Sequence, residues 1–180
     1  MSGPHPSASA DLHRRSAPGR IPTAVITVSD TRRGAGDTGG ALVQELLEGA
    51  GHPCAGRVSV PDEPGEITAA LRAALARPEV RAVILTGGTG IAPRDRTPEA
   101  VEPLLERLLP GFGELFRMLS YQEIGAAALL SRALAGLAAG KPVFALPGSP
   151  AAVRLALERL ILPELGHLAG EARKGAGAPP

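Results

Sequence analysis

Ala82-Val83-Ile84-Leu85-Thr86-Gly87-Gly88-Thr89-Gly90, followed by Ile91-Ala92-Pro93-Arg94-Asp95-Arg96-Thr97-Pro98-Glu99, is where the fold is decided. Residues 82–85 form a short apolar run that reads as a buried strand. The glycines that follow make a turn. Thr97 reads as a helix N-cap, with Pro98 at the first helical position and Glu99 in the first turn. A strand that passes through a glycine turn into a helix is the repeating unit of α/β proteins, and that turn is where they hold anions. Glycine lets the backbone approach a phosphate, and its N–H groups can point at the oxygens. Thr86 and Thr89 add hydroxyls, and Arg94 and Asp95 place a cation and a carboxylate just beyond. Ile91 stands where a Walker A loop continues toward its lysine, so the loop is of another kind.

Working outward, strand-like and helix-like segments alternate. Residues 23–28 read as a first buried strand ending at Ser29-Asp30, and 41–48 as a helix. Residues 56–60 form a second strand closed by Pro61-Asp62-Glu63, and 66–76 a helix stopped by Pro78. The helix from Thr97 is expected to run toward 109, where Pro110-Gly111 breaks it. Helical stretches follow at 112–119 and 124–131. A last strand at 142–146 leads to Pro147-Gly148-Ser149, and Ser149 caps a helix running to about 160. Residues 163–168 add a final turn or two. This alternation predicts an α/β fold with a mostly parallel sheet and helices on both faces. Residues 1–20 read as a disordered leader, 21–169 as a single domain and 170–180 as a flexible tail.

Composition narrows the function classes. Of 180 residues, 44% are hydrophobic but only 2% aromatic, so the core is built from Ala, Leu, Val and Ile. Nineteen basic residues balance 18 acidic ones. Net charge therefore gives no argument for nucleic acid or an anionic membrane, and aromatic platforms for stacked bases are too few. A single cysteine, Cys54, excludes intrachain disulfides and cysteine-rich zinc sites. No apolar run is long enough to span a bilayer, and the start of the chain lacks a signal-peptide core. A cytoplasmic protein is the expectation.

In parallel sheets, ligands bind beyond the carboxyl ends of the strands. The loops at those ends carry Ser29-Asp30, Asp62, the stretch from Gly87 to Asp95, and Pro147-Gly148-Ser149. Asp62 and Asp95 come from different loops. They are candidate ligands of an octahedral Mg²⁺ that keeps waters and phosphate oxygens. As structural groups, Asp62 would be a plain turn residue and Asp95 a cap or a partner of Arg94 or Arg96. Ser149 is most simply a helix cap, and a helix N-terminus on this rim also attracts phosphate. Ser131-Arg132 sets a hydroxyl beside a guanidinium, a pair suited to phosphate, or else an exposed helix end. Asp30, Arg32, Arg33 and Asp37 lie in a Gly-rich loop that reads as solvated, or as a lid over a nucleotide.

Several motifs in order resemble a known family. These are Thr27-Val28-Ser29-Asp30-Thr31, Thr86-Gly87-Gly88-Thr89-Gly90, Arg94-Asp95-Arg96-Thr97-Pro98-Glu99-Ala100, Leu130-Ser131-Arg132-Ala133 and Leu146-Pro147-Gly148-Ser149. Together they look like the molybdopterin adenylyltransferases of molybdenum cofactor biosynthesis, of MogA/MoaB type. Phe116-Arg117-Met118-Leu119-Ser120-Tyr121-Gln122-Glu123-Ile124-Gly125 is more similar to the MoaB branch. The resemblance implies the molybdopterin-binding α/β fold, assembly as trimers or hexamers, and work alongside other enzymes of the pathway. It implies attack by the terminal phosphate of molybdopterin on the α-phosphate of MgATP, releasing pyrophosphate. Asp62 and Asp95 fall on the family's catalytic and metal-binding carboxylates. Gly87, Gly88, Thr89 and Gly90 fall on its phosphate loop, and Ser131 on its pterin-phosphate serine. Thr86, Arg94 and Arg132 are expected to bind substrate or nucleotide beside them. Ser29, Asp30, Pro147, Gly148 and Ser149 fall on its nucleotide side. The chain departs at Asp37-Thr38-Gly39-Gly40, where the family has Asp-x-Ser-Gly. That departure gives weight to a second reading, a pterin carrier or scaffold with little turnover.

Overall fold

The computed structural model describes residues 19–31 and 36–174. The leader up to residue 18, loop positions Arg32 and Arg33, and the tail from 175 lie outside the described residues. In chain order the elements are β1 (Thr23–Val28), α1 (Thr38–Gly49), β2 (Cys54–Val60), α2 (Pro64–Ala76), β3 (Ala82–Thr86) and α3 (Thr97–Val101). After a 3₁₀ turn (Glu102–Leu104) come β4 (Arg107–Leu108) and α4 (Pro110–Ile124). A second 3₁₀ turn (Gly125–Leu130) leads to β5 (Leu134–Ala138) and β6 (Lys141–Leu146). The chain closes with α5 (Pro150–Ala156), a π-helical turn (Leu157–Ile161) and α6 (Leu162–Glu171).

Six strands form one sheet in the order β2-β1-β3-β6-β5-β4. The first four are parallel, so their carboxyl ends share one rim. β5 and β4 run antiparallel at the far edge. Alternation along β3 feeds two separate cores, as a strand covered on both faces requires. Ala82 and Ile84 join a core with Val43 and Leu47 of α1, Phe116 of α4, Val153 of α5 and Leu165 of α6. Val83 and Leu85 join the opposite core with Ile67 and Leu71 of α2 and Val101 of α3. The mostly parallel sheet with helices on both faces is thus the observed architecture.

Four expectations need correction. The helix from Thr97 does not reach 109: α3 ends at Val101 and the chain extends into β4. Pairing with β5 draws it out, through Glu106 N–H to Leu137 O at 2.8 Å and Leu109 N–H to Ala135 O at 2.8 Å. Thr97 is not the N-cap, because Arg96 occupies that position and makes no side-chain cap bond. Asp37 is not a solvated loop residue. It is 2% exposed and caps α1 by accepting from Gly40 N at 2.8 Å. The tail does not begin at 170, because Gly170 and Glu171 are still helical.

Candidate functional site

Gly87 follows β3 with φ +109, and Gly88 comes next with φ +63. A side chain is strained in this region. At Gly87 a Cβ would also lie 2.1 Å from Val28 O. The close approach packs the end of β3 against the end of β1. Thr97, fully buried, locks the turn from the helix side. Its Oγ1 donates to Gly87 O at 2.9 Å and its N–H to Gly88 O at 3.0 Å. The residue types that suggested a cap thus serve the glycine loop instead.

The loops after β1, β2 and β3 meet on the outer side of this turn. Arg94 grips Asp30 in a fork, with Nη2 at 2.9 Å from Oδ1 and 2.8 Å from Oδ2. Its Nη1 reaches Glu63 Oε1 at 2.6 Å. These three side chains are about half exposed, which keeps each pair weak on its own. Asp30 Oδ1 also accepts from Asp62 N at 3.1 Å, tying the β1 and β2 loops together. Sequence reading missed Glu63, whose position beside Asp62 was the only local signal.

Asp62 turns its carboxylate inward, over the glycines. Its Oδ1 is buried with no hydrogen-bond partner among the described residues. Burial pushes its pKa up from the ordinary value of 3.8, and the charges of Asp30 and Asp95 push it further, against the opposing pull of Arg94. Asp95 folds back on its own loop, its Oδ2 accepting from Ala92 N at 2.9 Å. That oxygen lies 2.7 Å from where a Cβ on Gly90 would sit. Both carboxylates therefore border the glycine turn. An anionic oxygen, buried and unpartnered beside a second carboxylate, fits a divalent cation. Among the described residues, no three His, Cys, Asp or Glu side chains converge to hold a metal ion. Two protein carboxylates are the set available, which leaves coordination positions for phosphate oxygens and water.

On the inner side of the loop lies a cavity of about 210 Å³, bordered by Thr89, Gly90, Ser131, Pro147 and Ser149, with Phe116 of α4 at its apolar wall. Thr89 Oγ1 is buried without a partner among the described residues. Ser149 caps α5, accepting from Ala152 N at 3.3 Å. Ser131 Oγ accepts from Ala133 N at 3.3 Å. Thr86 Oγ1 donates to Pro147 O at 3.1 Å, and Gly87 N–H to Leu146 O at 2.9 Å. These bonds hold the loop after β6 against the glycine turn, so close that a Cβ on Gly148 would lie 3.4 Å from Gly87 Cα. Ser29 sits at the end of β1, its N–H on Val60 O at 2.9 Å and its Oγ accepting from Thr31 N.

The candidate residues thus divide into two groups separated by one turn. Asp30, Asp62, Arg94 and Asp95 stand outside it, and Thr89, Gly90, Ser131, Pro147 and Ser149 line the cavity inside. Arg132 borders an open hollow on the outer side together with Asp95 and Glu99, and its guanidinium is bound to the loop itself.

Residues 24–167 match the family described as a probable molybdopterin binding domain. The molybdenum cofactor biosynthesis protein B of Halalkalibacterium halodurans is 49% identical over 167 residues, covering 92% of this chain and 98% of that relative. A crystal structure of a molybdenum cofactor biosynthesis protein B superposes with a TM-score of 0.85 at 47% identity, over 88% of this chain and 99% of the other. The tungsten cofactor synthesizing protein MoaB from Pyrococcus furiosus superposes with a TM-score of 0.79 at 40% identity, over 88% and 100%. No helix among the described residues is long and apolar enough to cross a membrane.

Proposed function

Because the chain belongs to the family of probable molybdopterin binding domains, we propose that it adenylylates molybdopterin with MgATP during molybdenum cofactor biosynthesis. An oxygen of the terminal phosphate of molybdopterin attacks the α-phosphorus of ATP, the bond to the β-phosphate oxygen breaks, and pyrophosphate leaves. The nucleophile comes from the substrate, so the protein needs no covalent intermediate. Positioning and charge neutralisation carry such a transfer.

The single observation that supports this reading most is the buried Oδ1 of Asp62 over the glycine turn, which has no partner among the described residues. An uncompensated carboxylate oxygen costs stability, and a site that binds a cation uses it. Asp62 and Asp95 would hold Mg²⁺, which when bound neutralises triphosphate charge. Arg94 supplies a guanidinium at the same rim, and the glycine loop supplies backbone donors. Ser29, Asp30 and the loop from Pro147 to Ser149 take the nucleotide side, and the cavity beside Ser131 takes the pterin phosphate. In this reading the protein works in the cytoplasm.

Self-association belongs to the same reading. Leu115, Met118, Tyr121 and Ile124 of α4 are exposed, as are Leu129 and Leu130 after it. An apolar surface of that extent is suited to a trimer or hexamer contact.

The test is incubation of wild type and Asp62→Ala with molybdopterin and MgATP. Wild type is expected to form adenylylated product and pyrophosphate in equal amounts, and the variant to form neither. No wild-type product above background at saturating substrate would sink the proposal and favour the carrier reading, which Gly39 in place of the family's serine supports.

A further inference from the structure

Arg132 follows Ser131 directly, yet its side chain points into the protein's own loop. Its backbone N–H donates to Thr89 O at 2.9 Å. Its Nε donates to Gly90 O at 2.7 Å and its Nη2 to Asp95 O at 2.5 Å. Its Nη1 pairs with Glu99 Oε1 at 2.5 Å. All three side-chain nitrogens are thus engaged within the chain. The two carbonyls are the ends of the segment that carries Arg94 and presents Asp95. One guanidinium spans both ends, and a planar fork is the group able to do so. The bond to Thr89 O extends the tie back into the glycine turn.

From this geometry we infer that Arg132 is a positioning residue, which sets the height of the Asp95 carboxylate beside Asp62 and locks it to Ser131. One dipeptide then connects the two sides of the site. Ser131 borders the inner cavity, and Arg132 holds the outer loop on which the second carboxylate stands. This inference rests on the proposed adenylylation only where it speaks of the nucleotide; the clamp itself is a property of the free chain.

The experiment compares wild type, Arg132→Lys and Glu99→Gln in the full chain. Amide hydrogen exchange is read across residues 89–96, and MgATP affinity by calorimetry. A lysine keeps the charge but cannot bridge both carbonyls. Arg132→Lys is expected to speed exchange in this segment at least about tenfold and to raise the Kd for MgATP at least about tenfold. Exchange in β1 and β3 stays unchanged, which separates loop release from loss of the fold. Glu99→Gln keeps the Nε and Nη2 bonds and is expected to leave both readouts within about twofold. Unchanged exchange in Arg132→Lys overturns the clamp whatever the nucleotide does. Faster exchange with unaltered MgATP affinity overturns the positioning role. Equal damage from Glu99→Gln overturns the assignment to the two carbonyls. A wild type that binds no MgATP removes the adenylylation reading, and exchange then decides the clamp alone.

Discussion

Asp62 Oδ1 lies over the α-carbon of Gly88, so close that a Cβ there would stand 2.4 Å from it and 2.4 Å from Thr97 Oγ1. The carboxylate, the turn and the threonine that locks the turn therefore occupy one space that only glycine leaves open. Gly88→Ala must move Asp62 or Thr97, and must also hold an alanine at φ +63. A destabilisation of about 2 kcal/mol is expected from the backbone alone. Urea midpoints measure it, and adenylylation falls to the level of Asp62→Ala.

Asp62→Asn separates stability from function. The native carboxylate is partly desolvated and repelled by Asp30 and Asp95. Removing its charge is expected to raise Tm without ligand at pH 7 while turnover is lost. A Tm below wild type would show that Asp62 stabilises the free protein.

The same cause sets a pH dependence. The pKa of Asp62 is raised on folding, so above the ordinary value of 3.8 the folded chain holds this proton longer than the unfolded chain does. Its contribution to stability is full below the unfolded pKa and is lost as pH rises through the folded one. Over that window wild type loses stability relative to Asp62→Asn as pH increases. Affinity for MgATP runs the other way, weakening as acid protonates Asp62. Paired melting and calorimetry across the mildly acidic range check both signs.

Gly39 offers room for a side-chain hydroxyl, which the sequence resemblance leads one to expect there. A Cβ at this position would meet only Thr86 and Gly148 O, at 3.7–3.8 Å, which is ordinary contact. Gly39→Ser is expected to leave the urea midpoint almost unchanged and to raise turnover several-fold. Unaltered turnover would mean that the site works without a side chain at that point.

Tyr121 and Ile124, 64% and 58% exposed on α4, are expected to be covered by self-association. The double variant Tyr121→Glu/Ile124→Glu places charge on that surface and should sediment as a monomer where wild type does not. Wild type sedimenting as a monomer at micromolar concentration would remove the proposed contact.

Much of the fold could be read along the chain, for local reasons. The segments that became β1 and β3 are short runs rich in β-branched residues, and such runs make strands buried on both faces. β4 and β5 were missed because Leu134-Ala135-Gly136-Leu137-Ala138 lies in an Ala-rich stretch with no β-branched residue. Its strand character comes from pairing with β6. The end of the predicted helix at 97–109 was lost to the same cause, since helix propensity at 105–109 yields to hydrogen bonds with β5.

By itself, then, the amino-acid sequence determined the parallel strands, the glycine turn and the rim that gathers the candidate residues. Each follows from properties of neighbouring residues: apolar runs, glycine's backbone freedom and the common direction of strands joined by helices. Only the tertiary structure decided what the charged groups do. Arg94 meets Asp30 across 64 residues, and Arg132 reaches Gly90 across 42. An arginine beside a glycine loop reads the same in sequence whether it binds a ligand or clamps the loop. The difference lies in which carbonyls and carboxylates come within reach of a fixed, planar fork of donors, and distant segments bring those together only when the sheet forms.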